Sequence, residues 1–139
     1  MRQSQTDMTI RTGSQGFVDV TRDIAAWIDE TGIANGLLTV FIQHTSAGLT
    51  IQENADPDVM RDLMDFFKKI TPEDRRLYRH SMEGDDDMAA HIRTSLTDVS
   101  LSIPVSGGRM TLGTWQSVYV CEYRTGANGR KISLHLLGE

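Results

Sequence analysis

Two apolar, β-branched runs flank a five-residue turn, and an Asp-Pro pair follows almost at once. The runs are GLLTVFIQH (residues 36–44) and LTIQEN (residues 49–54). Their Leu, Val, Ile, Thr and Phe side chains pack well on a pleated surface, so both are read as strands. His-Thr-Ser-Ala-Gly between them is short enough for a hairpin, although its length does not fix a turn type. Asp56-Pro57 then ends any strand. The aspartate can accept from orphan amides, and proline at the first helical position gives up no needed N–H. A chain built this way must combine sheet and helix.

The rest of the pattern agrees. Alternation at Met8 and Ile10 predicts an early strand. In TRDIAAWIDETG, Ile24, Trp27 and Ile28 share a helical face, with Thr21 expected as the N-cap and Gly32 as the stop. After Pro57, an apolar stripe of Val59, Leu63, Phe66 and Ile70 is expected, and Lys68 and Lys69 suit the negative end of the helix dipole. TPED at Thr71 repeats cap plus proline and predicts another short helical turn. A third helix is expected over about 86–96, with Met88, Ile92 and Leu96 toward the core. The last third reads as strands. In RKISLHLLG, Ile132, Leu134 and Leu136 lie on one face. The expected class is α+β, with mostly antiparallel sheets and two or three helices, in a single domain over 1–139.

Bulk properties narrow the function. The chain has 139 residues, 24% of them charged, and a formal net charge of -5. That balance disfavours a nucleic-acid partner. One cysteine excludes an intrachain disulfide and a Cys-rich zinc site. No stretch approaches a membrane span, and the opening MRQSQTDMTI has no signal-peptide pattern. No membrane partner and a cytoplasmic location are expected.

Chemistry concentrates in three segments. The four histidines are His44, His80, His91 and His135. None sits inside a continuous apolar run. Their positions are compatible with a three-histidine metal site, or with separate hydrogen-bonded imidazoles. GDDDMAAH places acids one helical turn before a histidine, and Asp87 and His91 share a face. One aspartate there can be a ligand, an imidazole-orienting group or a base, and Asp87 is preferred. A magnesium-bound phosphate on the acid triplet is an alternative. Thr45 and Ser46 can donate to a phosphate. Glu53 and Asn54 crowd a strand exit. Gln116 can line a cleft, and Arg109, Arg124, Arg130 and Lys131 can form an anion patch.

Together, FIQHTSAGLTIQENADPDV, YRHSMEGDDDMAAHIRTSL, SLSIPVSGGRMTLGTWQSVYVCEYR and RKISLHLLG resemble the YjbQ-like family of secondary thiamine-phosphate synthases, in the family's order over nearly the whole chain. The resemblance implies an α+β fold with a β-sandwich-like core, and a homotrimer. It also implies a polar cluster at His44, Thr45, Ser46, Glu53, Asn54, Asp56, His80, Glu83, Asp86, Asp87, His91 and Gln116. The implied reaction joins an aminopyrimidine-methyl diphosphate to a thiazole phosphate and releases diphosphate. The site reading is then His44, Glu53, Asp87 and His91 as catalytic groups. Thr45, Ser46, Asn54, Gln116, Arg124 and Arg130 hold the small phosphorylated molecule, and His44, His80 and His91 hold a divalent ion, zinc or magnesium. The alternatives are a metal-dependent phosphate-ester hydrolase and a non-catalytic trimeric metal- or anion-binding protein. Ala89 stands where the family commonly has proline, which removes a backbone restraint.

Overall fold

The computed structural model describes residues 1–139. In chain order its elements are β1 (Arg2–Thr12), β2 (Gly16–Asp19), α1 (Thr21–Thr31), β3 (Gly36–Ile42), β4 (Ala47–Glu53), α2 (Pro57–Ile70), α3 (Asp87–Leu96), β5 (Ser100–Ser106), β6 (Arg109–Met110), β7 (Gln116–Glu122) and β8 (Asn128–Gly138). A 3-10 turn, Arg75–Leu77, interrupts the connection between α2 and α3. The strands form a five-stranded sheet in the order β1-β8-β3-β5-β6 and a three-stranded sheet in the order β2-β7-β4. Every pairing between strands is antiparallel. The α+β, two-sheet class read from the sequence is the one observed.

The His-Thr-Ser-Ala-Gly turn does not close a hairpin. Strands β3 and β4 belong to different sheets, so the turn carries the chain from one layer to the other. Burial explains the switch. Ala47 and Leu49 are fully buried in the inter-sheet core. The Leu49 N–H donates to Asp98 O at 2.6 Å, and the Asp98 N–H returns to Leu49 O at 3.1 Å. Gly48 lets that segment approach closely, because a Cβ there would collide with Thr97 Oγ1. Strand β4 thus finds β7 and the exit of α3, not β3.

The main core lies between the sheets. Leu38, Val40 and Ile42 of β3 meet Ile132, Leu134 and Leu136 of β8, Val118 and Val120 of β7, and Ile24, Trp27 and Ile28 of α1. A second cluster, Met64, Ala90, Cys121 and Tyr123, packs the other side of β7 against α2 and α3. Phe67 meets Tyr123 edge-on with ring centroids 5.9 Å apart. Strand β7 is therefore covered on both faces, as its unbroken SVYVCE run requires. Burial pushes the Cys121 thiol pKa up to about 12, so this cysteine is an inert packing residue.

Helix α1 buries Ile24, Trp27 and Ile28 as expected, whereas α2 and α3 differ from their sequence readings in which face is buried. Helix α1 has Val20 at its N-cap; Asp19 accepts the Thr21 N–H at 2.9 Å, and Thr21 Oγ1 accepts from the Val118 N–H at 2.8 Å. Helix α2 begins at Pro57 with Asp56 accepting the Asp58 N–H at 2.9 Å, as expected. Its buried residue is Met64, with Phe67 packed beside it, while Phe66 and Ile70 are exposed. Thr71 ends α2, and Asp74 caps the following turn.

Helix α3 buries Asp87, Ala89, Ala90, Arg93 and Thr94, and Leu96 is exposed. Two physical reasons apply. Ala89 and Ala90 allow close approach to the sheet, which larger Met88 and Ile92 would prevent. Asp87 and Arg93 can be buried because both are paired. Arg93, fully buried, donates to Thr71 Oγ1 at 2.7 Å, Thr71 O at 3.0 Å and Glu73 Oε1 at 2.8 Å. That clamp ties α3 to the start of the segment that delivers His80.

Candidate metal centre

Asp87 stands at the first position of α3, with His91 one turn later. A helix places residues i and i+4 on one face, so the two side chains rise together. The connection from α2 folds back over them. The Arg75 N–H donates to Asp85 Oδ1 at 3.1 Å, and Tyr78 Oη donates to Pro72 O at 2.8 Å. These contacts bring His80 to the helix start. His80 Nε2 lies 2.7 Å from Asp87 Oδ2, and His91 Nε2 lies 3.3 Å from the same oxygen. The imidazoles meet edge-on with centroids 5.2 Å apart. One ligand atom from each of His80, Asp87 and His91 lies within 4.8 Å of the other two. This cluster can coordinate a divalent metal ion.

The donor set fits such an ion. Two imidazole nitrogens and one carboxylate oxygen suit zinc and related transition metals, and magnesium prefers oxygen alone. Three protein ligands also leave a coordination position free, which closed structural zinc sites do not. His80 is half-exposed at the outer side and Asp87 is buried at the base.

A shell of fixed charge orients Asp87. Arg124 Nη1 donates to Asp87 Oδ1 at 2.6 Å, leaving Oδ2 for the histidines. The same guanidinium donates through Nε to Asp86 Oδ2 at 3.0 Å and through Nη2 to Glu83 O at 3.0 Å. The Thr125 N–H also donates to Asp86 Oδ2, at 2.9 Å. Burial opposes ionisation of Asp87, but the His80 contact and the Arg124 charge outweigh it and hold the pKa below the usual carboxylate value. Asp86 behaves alike: burial is outweighed by the Thr125 amide and Arg124. Partners of this kind fix ligand geometry and raise metal affinity.

The remaining expected site residues fall into two other places. His44, expected as the third imidazole ligand, is not in the cluster. Its Nε2 accepts the Lys131 N–H at 2.8 Å, and Arg130 Nη1 stands 3.4 Å from its Nδ1. Asp87 supplies the third ligand atom instead. Thr45 and Ser46 sit beside His44, where Arg130 forms a buried pair with Glu122. Glu53, Asn54 and Gln116 lie at the far end of the three-stranded sheet. Ala47 pairs with Glu122 at one end of β4 and Glu53 pairs with Gln116 at the other. Six strand steps separate them by about 20 Å. There Asn54 Nδ2 donates to Ser117 Oγ at 3.1 Å, Glu53 Oε2 accepts the Asp56 N–H at 3.2 Å, and Gln116 Oε1 accepts the Gly113 N–H at 2.7 Å. All three have local structural partners. Arg124, expected to hold phosphate, is taken up by Asp86, Asp87 and Glu83. His135 is on the outward face of the five-stranded sheet, 3.1 Å from Gln3 Oε1. The metal-site role of Arg124 was missed because the strand pattern gives no hint that its end meets the start of α3.

Fold and site together define an α+β protein with two antiparallel sheets and a two-histidine, one-carboxylate centre at a helix start. Its relatives specify it further. The family described as UPF0047 protein YjbQ-like matches residues 6–139, and the chain belongs to that family. It is 49% identical over 138 residues to UPF0047 protein sll1880 of Synechocystis, covering 99% of this chain and 94% of that one. It is 41% identical over 136 residues to UPF0047 protein YjbQ of Escherichia coli O157:H7, covering 97% and 98%. Among solved structures it is similar to the conserved hypothetical protein TT1486 from Thermus thermophilus, with a TM-score of 0.85, 35% identity and coverage of 95% and 99%. None of these three names states an activity.

Proposed function

We propose that the protein is a divalent-metal-dependent enzyme acting on a small phosphate ester, with the ion held by His80, Asp87 and His91. The observation that carries this reading is the position of Asp87 Oδ2 between two imidazole nitrogens, at 2.7 and 3.3 Å. A site with three protein ligands has the form used for chemistry, whereas a purely structural zinc site is closed by four. When bound, the ion would supply Lewis-acid polarisation of a phosphoryl oxygen. The chain's own groups do the rest. Arg124 fixes the carboxylate, Arg93 and Arg75 hold the segment that presents His80, and exposed Arg79 beside His80 favours an anionic substrate. The synthase reaction implied by the resemblance handles a diphosphate, which ordinarily calls for an oxygen-ligated magnesium site. The imidazole-rich set supports the hydrolase more. A homotrimer is part of the proposal. Leu37 and Leu137 are cross-strand neighbours on the outward face of the five-stranded sheet, and both are exposed.

The test is metal analysis of the purified protein, followed by turnover of nitrophenyl phosphate mono- and diesters with and without chelator. Expected is one transition-metal ion per chain, hydrolysis lost on chelation and restored by zinc, and none from His91→Ala. A parallel incubation with aminopyrimidine-methyl diphosphate and thiazole phosphate separates the readings. Thiamine phosphate formed there, with no ester hydrolysis, would replace this proposal by the transferase. Stoichiometric metal binding with neither product would leave a binding protein.

A further inference from the structure

The ring of His44 is placed so that both its nitrogens face donors. Nε2 lies 2.8 Å from the backbone N–H of Lys131, and a backbone N–H can only donate. A neutral imidazole that accepts at Nε2 carries its proton on Nδ1. Nδ1 faces Arg130 Nη1 at 3.4 Å, and a guanidinium has no acceptor. One N–H is therefore directed at another. A second ring proton would only set a further donor against the Lys131 amide. Burial lowers the His44 pKa first and the Arg130 charge lowers it further, against a weaker opposing pull from Glu122, so the ring is held neutral.

Arg130 cannot turn away to relieve this. It is 6% exposed, and its Nε donates at 2.8 Å to Glu122, which is fully buried. Its Nη2 donates to the same carboxylate and also reaches Ser46 O at 3.3 Å. What this corner lacks is an acceptor able to take both the Nδ1–H and the Nη1–H. Beside it lies a groove of about 550 Å³ lined by Phe41, Gln43, His44, Thr45, Ser46 and Val99. Phe41 and Val99 are 44% and 41% exposed, which gives the groove an apolar wall next to two hydroxyls.

We infer that this groove is an oxyanion-binding site whose ligand sets a phosphate or carboxylate oxygen against His44 and Arg130 and lays an apolar body on Phe41 and Val99. The site is separate from the His80, Asp87 and His91 centre and does not depend on an ion there. Glu122 already balances Arg130, so the groove offers hydrogen bonds more than net charge. A singly charged head is favoured over a dianion for that reason.

The experiment is long-range proton–nitrogen NMR of the nitrogen-15-labelled full chain in chelator, titrated with inorganic phosphate, acetate, phenyl phosphate and benzoate. Wild-type His44 is expected as the Nδ1–H tautomer. Each ligand should move the His44 Nδ1 and Ser46 amide signals, and the aryl forms should bind about tenfold tighter than their parent ions. Benzoate against phenyl phosphate tells a carboxylate ligand from a phosphate one. His44→Phe, which keeps an aromatic ring but has no donor, should weaken binding about tenfold or more. If that variant fails to fold, the wild-type titration decides alone. An Nε2–H tautomer, or ligand shifts confined to His80 and His91, would overturn the inference and leave the metal centre as the only anion site. Loss of ester hydrolysis in the metal-loaded protein would bear on the proposed function and not on this groove.

Discussion

Asp87 and Arg124 meet at 2.6 Å between the first residue of α3 and the residue two beyond the end of β7, and this contact decides which carboxylate oxygen faces the histidines. Arg124 spans Asp86 and Asp87 and the Glu83 carbonyl at once. In Arg124→Gln two largely buried carboxylates lose their shared cation. Removing one partner from a buried ion pair costs about 3 kcal/mol or more. Loss of an orienting partner lowers metal affinity by about 10–100-fold. Urea denaturation and zinc titration against a competing chelator measure the two effects separately.

His91 offers a cleaner separation of metal binding from folding. Its side chain is partly exposed, and its ionic partner is Asp87, which His80 and Arg124 continue to hold. His91→Ala should leave the metal-free protein nearly as stable as wild type. Zinc at a hundredfold excess over Kd stabilises a folded state by about 2.7 kcal/mol. Wild type should show that gain in a thermal melt, and His91→Ala should show little or none of it.

Acid stability should report on Glu122. Burial opposes ionisation of this group, but hydrogen bonds from Arg130, Thr12 and the Arg124 amide outweigh burial and hold its pKa below the ordinary carboxylate value of 4.5. A depressed carboxylate stabilises the fold fully above its ordinary value. That stabilisation is lost as pH falls below 4.5 and through the lower folded-state value. Stability from urea denaturation should thus be level in this respect above about pH 5 and decline below it, by up to about 1.4 kcal/mol per pH unit for one group. Replacing the pair together, Glu122→Leu with Arg130→Met, should make that limb shallower at little cost near neutral pH, leaving the part that Asp86 and Asp87 contribute. Glu122→Gln alone strands Arg130 and should lose about 3–5 kcal/mol.

How much of this was legible in the sequence follows from the range of the interactions involved. The β8 face of Ile132, Leu134 and Leu136 and the Asp56-Pro57 start of α2 are set by period and by local capping, and both were readable. The inward face of α3 was not. Hydrophobicity chose Met88, Ile92 and Leu96, but burial went to Asp87 and Arg93 because Arg124, 37 residues from Asp87, and Glu73, 20 residues from Arg93, neutralise them. The same limit applied to the metal centre. The i,i+4 relation of Asp87 and His91 could be read, and so could histidine as a ligand type. Which distant histidine would join them could not. His44 and His80 both border polar turns, and the Arg75–Asp85, Arg93–Glu73 and Tyr78–Pro72 contacts select His80. The sheet switch after His44 was hidden for a related reason: a five-residue turn suits a hairpin until Gly48 and Leu49 find α3.

Gly48 links that switch to the metal centre, and a mutant cycle exposes the link. A Cβ at residue 48 would collide with Thr97 Oγ1 at the C-cap of α3. Thr97 Oγ1 donates to Arg93 O at 3.1 Å and accepts from Tyr123 Oη at 3.3 Å, so it cannot swing aside freely. Gly48→Ala must therefore push α3 away from β4, at about 1–3 kcal/mol. Thr97→Ala alone loses two hydrogen bonds and should cost about 1–2 kcal/mol. Together they should cost less than the sum, because Thr97→Ala removes the obstructing oxygen, and a coupling of about 0.5–2 kcal/mol is expected. Helix α3 carries Asp87 and His91 while His80 comes from outside it, so Gly48→Ala should also weaken zinc binding and the double variant should recover part of it. Additive stabilities with unchanged zinc affinity would show that this contact does not set the position of the helix.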